Sequence, residues 1–301
     1  NVSPRRMRVI EREGDMGFEA KPLNPKIGVE ITGIDLSQPL SNEVLAEIRR
    51  LWVENVVAVF PDQMVDDDEH IAFSERLGEL EKINMSALQS EGRPEIYEAT
   101  NLDKDGNIMA DDHPVLTINR GNMKWHSDSS FKVVPATASM LHAYVVPEEG
   151  GETEFANMAA AYDALDEETK ELCDGLIAIH DFYWSRRDVE EQAFTQAERD
   201  AIPPVRHPLI RLHPETGRKA IYVGSHTREI EGWDFAESRV LIDRLIAHGT
   251  RPEFIYRHDW QVGDIVLWDN RSALHRGLAF DDQREKRRLH RTTIAGAGPT
   301  L

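Results

Sequence analysis

The sequence predicts a mainly β chain with helical insertions, built around a jelly-roll barrel. Three observations carry that expectation. Apolar, β-branched runs bounded by turn residues recur along the chain. Helical patterns are inserted between them without a regular β–α alternation, which argues against a doubly wound parallel sheet. Two long polar stretches, 84–120 and 180–206, break the pattern where a compact domain places lids or binding loops.

The elements follow in chain order. IGVEITG (27–33) reads as a strand. A helix is expected over 41–53, opened by Ser41 and Asn42 with Glu43 in its first turn. VVAVF (56–60) is the next strand. A second helix over 67–77 begins in an Asp cluster, which suits the partial positive charge of a helix N-terminus. TASMLHAYVV (137–146) is a strand, and the Gly pair of EEGGETEF (148–155) turns the chain into another at Thr153. A third helix spans 166–176 with Asp166 as its cap. KAIYVG (219–224) is again extended. The last helix, 235–248, places Val240, Leu241, Leu245 and His248 on one face. EFIYRH (253–258), DIVLW (264–268) and QREKRRLHRTT (283–293) complete the strands. With no repeat, low-complexity tract or linker, residues 1–301 are expected to form a single domain.

Composition narrows the function. The 301 residues are 40% apolar with a formal net charge of −19. So acidic a surface excludes nucleic acid and anionic membrane as main partners. A small anionic substrate stays compatible with it, because a pocket can be locally basic, and so does a homo-oligomer. No run approaches the ~20 apolar residues of a membrane span. Cys173 is the only cysteine, so no intrachain disulfide forms; a reducing, cytoplasmic location is expected. Its place in ELCDGL reads as a small buried apolar residue. NVSPRRMRVIEREG (1–14) is basic but has no apolar core, so it is not read as a secretory leader. The absence of a leading Met reads as trimming.

The chemistry concentrates in WHSDSSF (125–131). Side chains two apart in an extended segment point the same way, so His126 and Asp128 can aim at one point. IVLWDNRSALHRG (265–277) runs a strand into a turn and presents His275. Two His and one carboxylate on one face form the ligand set of non-haem Fe(II) oxygenases, which leaves three coordination positions open. A four-ligand structural zinc site leaves none. In the C-terminal strand, period two puts Arg287, Leu289 and Arg291 on one face and Lys286, Arg288 and His290 on the other. If the first face looks inward, two guanidinium groups enter the metal cavity. They then need an anion, and their fork suits a carboxylate. The hydroxyl of Thr153 can share that carboxylate.

Taken together, WHSDSSF, GGETEF, WDNRSALHRG and RRLHRTT resemble the TauD/TfdA family of Fe(II)- and 2-oxoglutarate-dependent dioxygenases. The likeness extends over nearly the whole chain, through GVEITGIDLSQPL, VVAVFPDQ, HIAFSERLGEL, MAAAYDAL and HPETGRKAIYVG. It implies a double-stranded β-helix with helical insertions. It implies iron ligands His126, Asp128 and His275, with Thr153 and Arg287 on the far carboxylate of 2-oxoglutarate. Arg291 would lie by the near carboxylate and the substrate's anionic group. Asn122, four positions before His126, matches a substrate-side position. The spacing from His275 to Arg287 is one residue longer than the usual pattern. A one-residue insertion in AFDDQREK explains it; otherwise Lys286 takes the role. Trp125, Asp269 and Asn270 are candidates for orienting the ligands, and Lys124, His213 and His226 for lining the pocket.

The activity so implied consumes O2 and 2-oxoglutarate, releases succinate and CO2, and hydroxylates a small anionic compound. GNMKWHSDSSF and HPETGRKAIYVG sit closer to the aryloxyalkanoate-degrading members than to taurine dioxygenase. Oxidation of a taurine-like sulfonate or an alkyl sulfate is the alternative within the family. A zinc hydrolase needs a base near the metal and has no use for two arginines. A non-catalytic cupin-like binding module can dispense with the anion clamp.

Overall fold

The computed structural model describes residues 17–83, 88–90, 92–187 and 196–300. The basic stretch 1–14 and parts of the two polar segments, 84–87, 91 and 188–195, lie outside the described residues.

The described residues are mainly β with helices and form four sheets, two of which face each other across the core. The large sheet has eight strands in the order Glu19–Pro22, Val29–Thr32, Val57–Phe60, Ile265–Asp269, Ala138–Val145, Arg288–Ile294, Arg93–Thr100, Gln89–Ser90. All its pairings are antiparallel except Val29–Thr32 with Val57–Phe60. The small sheet sets Thr153–Asn157 between Ile255–His258 and Ala273–Gly277.

Alternation decides what each face meets. On the large sheet, Ala58, Phe60, Met140, Ile265 and Leu267 turn outward. They pack on helix Asn42–Asn55 through Ile48, Leu51 and Trp52, and on helix Asp67–Glu75 through Phe73. The opposite residues, Val57, Val59, Leu141, Ala143, Val266, Trp268 and Leu289, turn inward against Phe155 and Ala273 of the small sheet. The outer face of the small sheet, with Ala156 and Leu274, is covered by helix Phe235–Gly249 through Leu241, Ile242 and Leu245. Each layer buries its apolar stripe on the next, and the space between the sheets holds the functional residues.

The helices start where their caps place them. The Ser41 hydroxyl accepts from the Val44 amide. Asp66 and Glu69 form a reciprocal capping box. Asp166 and Asp234 accept amides of the first turns they precede. The second and third helices are shorter than expected, at Asp67–Glu75 and Glu167–Cys173. Val240 does not share the buried face of the last helix: it is 71% exposed, and Ser238, Leu241, Ile242, Leu245 and Gly249 line that face instead. The expectation had taken Val240 by hydrophobicity and missed that it points away from the Leu241–Leu245 stripe.

The stretch 84–120 is a second correction. It contains Arg93–Thr100, an eight-residue strand, and helix Pro114–Arg120. The strand reads as polar because it lies near the edge of the sheet, where Arg93 ion-pairs with Asp68 at 2.8 Å. Its ladder with Arg288–Ile294 comes from a partner far along the chain. Within the C-terminal strand, the register to Ala138–Val145 shifts between Arg288 and Leu289. The extra residue is Tyr144 of the neighbouring strand, so the C-terminal strand keeps its alternation, and Arg287, Leu289 and Arg291 share the inward face. No helix of the described residues is long and apolar enough to cross a membrane.

Candidate active site

Three side chains meet at the mouth of the inner space. His126, Asp128 and His275 are all buried, and one ligand atom from each lies within 4.8 Å of the others. Nε2 of His126 is 3.9 Å from Asp128 Oδ1. Nε2 of His275 is 3.6 Å from Asp128 Oδ2. His275 comes from strand Ala273–Gly277, where it pairs with Phe155. His126 reaches it as a single-residue antiparallel bridge. The chain then bends sharply at Ser129, which holds a positive φ of 55°.

The surroundings fix the three groups. His126 Nδ1 lies 2.7 Å from the Lys124 carbonyl. A carbonyl only accepts, so Nδ1 carries the proton and Nε2 keeps its lone pair for the cluster. The His275 ring is held by packing beside Trp268 and Phe155, at centroid distances of 4.6 and 6.2 Å. Asp128 Oδ2 accepts from Ser139 Oγ at 2.7 Å. Asn270 accepts from the Asp128 amide and donates to Ser139. Trp268 Nε1 in turn donates to Asn270 Oδ1 at 3.1 Å. Ser139 was missed from the sequence. Its signal was there, since it shares a strand face with Leu141, but a lone Ser in an apolar strand is unremarkable.

Charge is arranged to keep the site ligating. Burial by itself raises the Asp128 carboxyl, but Arg291, His275, His126 and the Ser139 hydroxyl together hold it well below the usual carboxylate range. Burial, with the neighbouring His126, pushes His275 well below the usual imidazole value. Burial also lowers His126. A carboxylate with two neutral imidazoles is the donor set a divalent cation requires.

Beside this cluster opens a cavity of about 440 Å³, lined among others by His126, His275, Thr153, Arg287, Arg291 and Asn122. Its walls mix apolar groups such as Leu141, Trp268, Leu278 and Phe280 with a few polar ones, as small-molecule sites do. Arg287 sits just before the C-terminal strand, its amide donating to Asn101 and its Nε to the Gly151 carbonyl. Gly151 has φ +74°, and a Cβ there would meet Arg287 Cδ at 3.3 Å and Pro147 Cγ at 2.9 Å. The Gly pair thus lets the turn lie against the guanidinium. Among the described residues no carboxylate is ion-paired to Arg287, and burial lowers it to about 10. Thr153 Oγ1 accepts from Trp260 Nε1, which leaves its own proton free to donate into the cavity. Lys286 is exposed and donates to the Gly106 carbonyl, away from this space.

Arg291 lines the cavity, stacks over Tyr97 at 4.6 Å, and places Nη1 2.5 Å from Asp128 Oδ1. Asn122 lines the cavity and donates to the Tyr97 hydroxyl at 3.4 Å. Other candidates lie elsewhere. Trp125 packs under the Arg276 guanidinium. Asp269 bonds Arg271 and His213 instead. His213 borders a separate groove with Arg49 and Glu215, and His226 stands behind His126 at a ring distance of 6.2 Å. Lys124 donates to the Ser185 carbonyl. None of these last three borders the cavity.

Residues 19–293 match the family described as taurine catabolism dioxygenase TauD, TfdA family. The chain belongs to that family. An alpha-ketoglutarate-dependent 2,4-dichlorophenoxyacetate dioxygenase of Cupriavidus pinatubonensis is 40% identical over 285 residues, covering 94% of this chain and 99% of that protein. An (S)-phenoxypropionate/alpha-ketoglutarate-dioxygenase of Sphingobium herbicidovorans is 37% identical, covering 93% and 95%. Among solved structures, that of AAD-2 in complex with Mn(II) and N-oxalylglycine superposes with a TM-score of 0.87 at 36% identity, over 95% of this chain and 99% of that one. A TauD/TfdA chain therefore carries both the cation-competent cluster and the adjoining cationic cavity.

Proposed function

We propose that this TauD/TfdA protein is an Fe(II)- and 2-oxoglutarate-dependent dioxygenase that hydroxylates a small aryloxyalkanoate, in one domain whose facing sheets are the halves of a double-stranded β-helix. The observation that carries the reading is the cluster of His126, Asp128 and His275 beside Arg287, a half-buried guanidinium that lines the same cavity and has no acidic partner among the described residues. The donor set fits Fe(II), which prefers two imidazoles and one carboxylate with open positions. The guanidinium fits a carboxylate-bearing cosubstrate.

Each residue has a part. His126, Asp128 and His275 would hold the metal beside the cavity. Arg287 would take the far carboxylate of 2-oxoglutarate, and the Thr153 hydroxyl would donate to the same group. Leu141, Trp268 and Phe280 exclude water from the reacting centre. Iron(II) and 2-oxoglutarate supply the O2 chemistry, in which decarboxylation to succinate and CO2 is coupled to hydroxylation of a substrate C–H. Hydroxylation next to the ether oxygen of an aryloxyacetate gives a hemiacetal, which collapses to a phenol and an oxoacid. The relatives that act on phenoxyalkanoates support this substrate class.

The test is succinate release from 2-oxoglutarate with Fe(II) and ascorbate, across a panel of aryloxyalkanoates, taurine and alkyl sulfates. Stimulation by the aryloxy acids, with phenol formed in step, is the expected result. Stimulation only by the sulfonate or sulfates moves the substrate class. Activity with zinc and without 2-oxoglutarate overturns the oxygenase reading.

A further inference from the structure

Three polar side chains of the cavity wall are joined in one directed chain. Tyr97 stands on strand Arg93–Thr100, Asn119 on helix Pro114–Arg120, and Asn122 on the turn Gly121–Met123 that follows. All three line the cavity. Asn119 Nδ2 donates to the Thr100 carbonyl at 2.9 Å. A carbonyl only accepts, so the Asn119 amide has one orientation, with Oδ1 left for Tyr97. The Tyr97 hydroxyl therefore donates to Asn119 Oδ1, at 2.5 Å. Burial pushes this phenol up, so it keeps the proton it shares. With that proton spent, the phenol oxygen only accepts, and Asn122 Nδ2 lies 3.4 Å from it. The Asn122 amide is oriented in turn: Nδ2 faces Tyr97, and Oδ1 lies 3.5 Å from Arg186 Nη2.

The chain ends in a donor. An amide nitrogen carries two protons. Tyr97 takes one of those on Asn122 Nδ2, and among the described residues no partner takes the other. The ring that sets this order is itself held. Tyr97 is buried with Leu88 and Val115, and the Arg291 guanidinium lies over its face at 4.6 Å. From this chain we infer that Tyr97, backed by Asn119, is a positioning residue for the prime substrate: it fixes the Asn122 amide so that an N–H, and not the carbonyl, is offered to an oxygen of the bound acid. The inference rests on the dioxygenase reading and deepens it. Turning the amide over would set Oδ1 against the phenol oxygen, two acceptors with no proton between them, so a substrate that presents a donor at this wall is disfavoured. An aryloxy acid presents only oxygen acceptors. Holding it in one pose keeps the target C–H aligned for reaction.

The test follows turnover of 2,4-dichlorophenoxyacetate with Fe(II), 2-oxoglutarate and ascorbate, counting phenol and succinate together. It compares wild type, Tyr97→Phe, Asn122→Ala and the double variant. Tyr97→Phe keeps the ring and removes only the hydroxyl. It should raise the KM for the acid about 3- to 10-fold, the loss of one neutral hydrogen bond. It should also lower the phenol formed per succinate to roughly half or less, because a tilted substrate lets 2-oxoglutarate be spent without hydroxylation. Since Tyr97 acts through Asn122, Tyr97→Phe should add less than about twofold once Asn122→Ala is in place. Asn122→Asp exchanges the donor for an acceptor and should bind the acid no better than Asn122→Ala. Anaerobic calorimetric titration of 2-oxoglutarate into the Mn(II)-loaded proteins monitors folding and should be alike in all of them. An unchanged phenol-to-succinate ratio in Tyr97→Phe, an additive loss in the double variant, tighter binding by Asn122→Asp, or weakened 2-oxoglutarate binding in Tyr97→Phe overturns the inference. If wild type binds 2-oxoglutarate but forms no phenol, the role of Tyr97 falls while the dioxygenase reading stands. If it binds no 2-oxoglutarate, both fall.

Discussion

His126 and His275 hold each other through their backbones: each amide donates to the other's carbonyl, at 3.0 and 2.8 Å. Their rings then lie 4.1 Å apart between centroids, although the residues are 149 positions apart (275 − 126). The pairing needs neither imidazole. His275→Ala or His126→Ala should therefore keep the fold and lose the metal. Asp128→Ala should lose it too. Elemental analysis after reconstitution should find the metal content per chain collapse in each variant while the thermal midpoint of the metal-free protein moves by a few degrees at most. Retention of tightly bound iron by any of the three would move the ligand set elsewhere.

Asn270 should matter more than its distance from chemistry suggests. It is fully buried and joins the Asp128 amide, Ser139 and Trp268. Asn270→Ala leaves those groups unpaired, costing about 1–3 kcal/mol for each one orphaned. Metal affinity should fall about 10- to 100-fold, the usual range for a group that orients a ligand. Metal titration and urea unfolding of the same sample measure the two effects. Unchanged affinity would mean that Ser139 alone suffices to hold Asp128.

Arg287 and Lys286 are adjacent but face different worlds. Arg287→Ala should raise the 2-oxoglutarate concentration needed for half-maximal succinate release on the order of 10- to 100-fold, as loss of a charged pair does. Lys286→Ala should leave it alone, because that ammonium is exposed and bonded to the Gly106 carbonyl. A reversal of the two would relocate the clamp by one residue.

Asp269 makes an acid-sensitive support. It is fully buried, and although burial raises it, the bonds from Arg271 and His213 hold it near 2 against an ordinary 3.8. A carboxyl lowered in the folded state contributes stability above its unfolded value and loses it as pH falls through the folded one. The contribution should be complete above about pH 4 and vanish toward pH 2. Asp269→Ala should cost about 1–3 kcal/mol or more at neutral pH, since it leaves buried Arg271 with Glu215 as its one carboxylate and removes the partner of His213 Nε2. It should also flatten the acid limb of a stability–pH curve. An acid limb unchanged in the variant would assign the dependence to other carboxylates.

Much of this was legible before any coordinates. Strand runs bounded by turns, helix caps at Ser41, Asp166 and the Asp66–Asp68 cluster, and the spacing of His126 and Asp128 are local signals, set by backbone geometry and nearest neighbours. The face of Val240 and the strand Arg93–Thr100 were not legible, because what buries or pairs them comes from distant segments.

What the amino-acid order alone determined is the inventory: two imidazoles and a carboxylate in extended segments, a Gly turn before Thr153, and arginines in a C-terminal strand. Only the folded chain decided which of these meet. The His126–His275 bridge and the turn at Gly151 that lies against Arg287 both depend on contacts between residues more than a hundred positions apart. Periodicity reports a residue's own strand or helix. It carries no information about which other strand lies opposite, and that pairing is settled by the collective burial of both sheets.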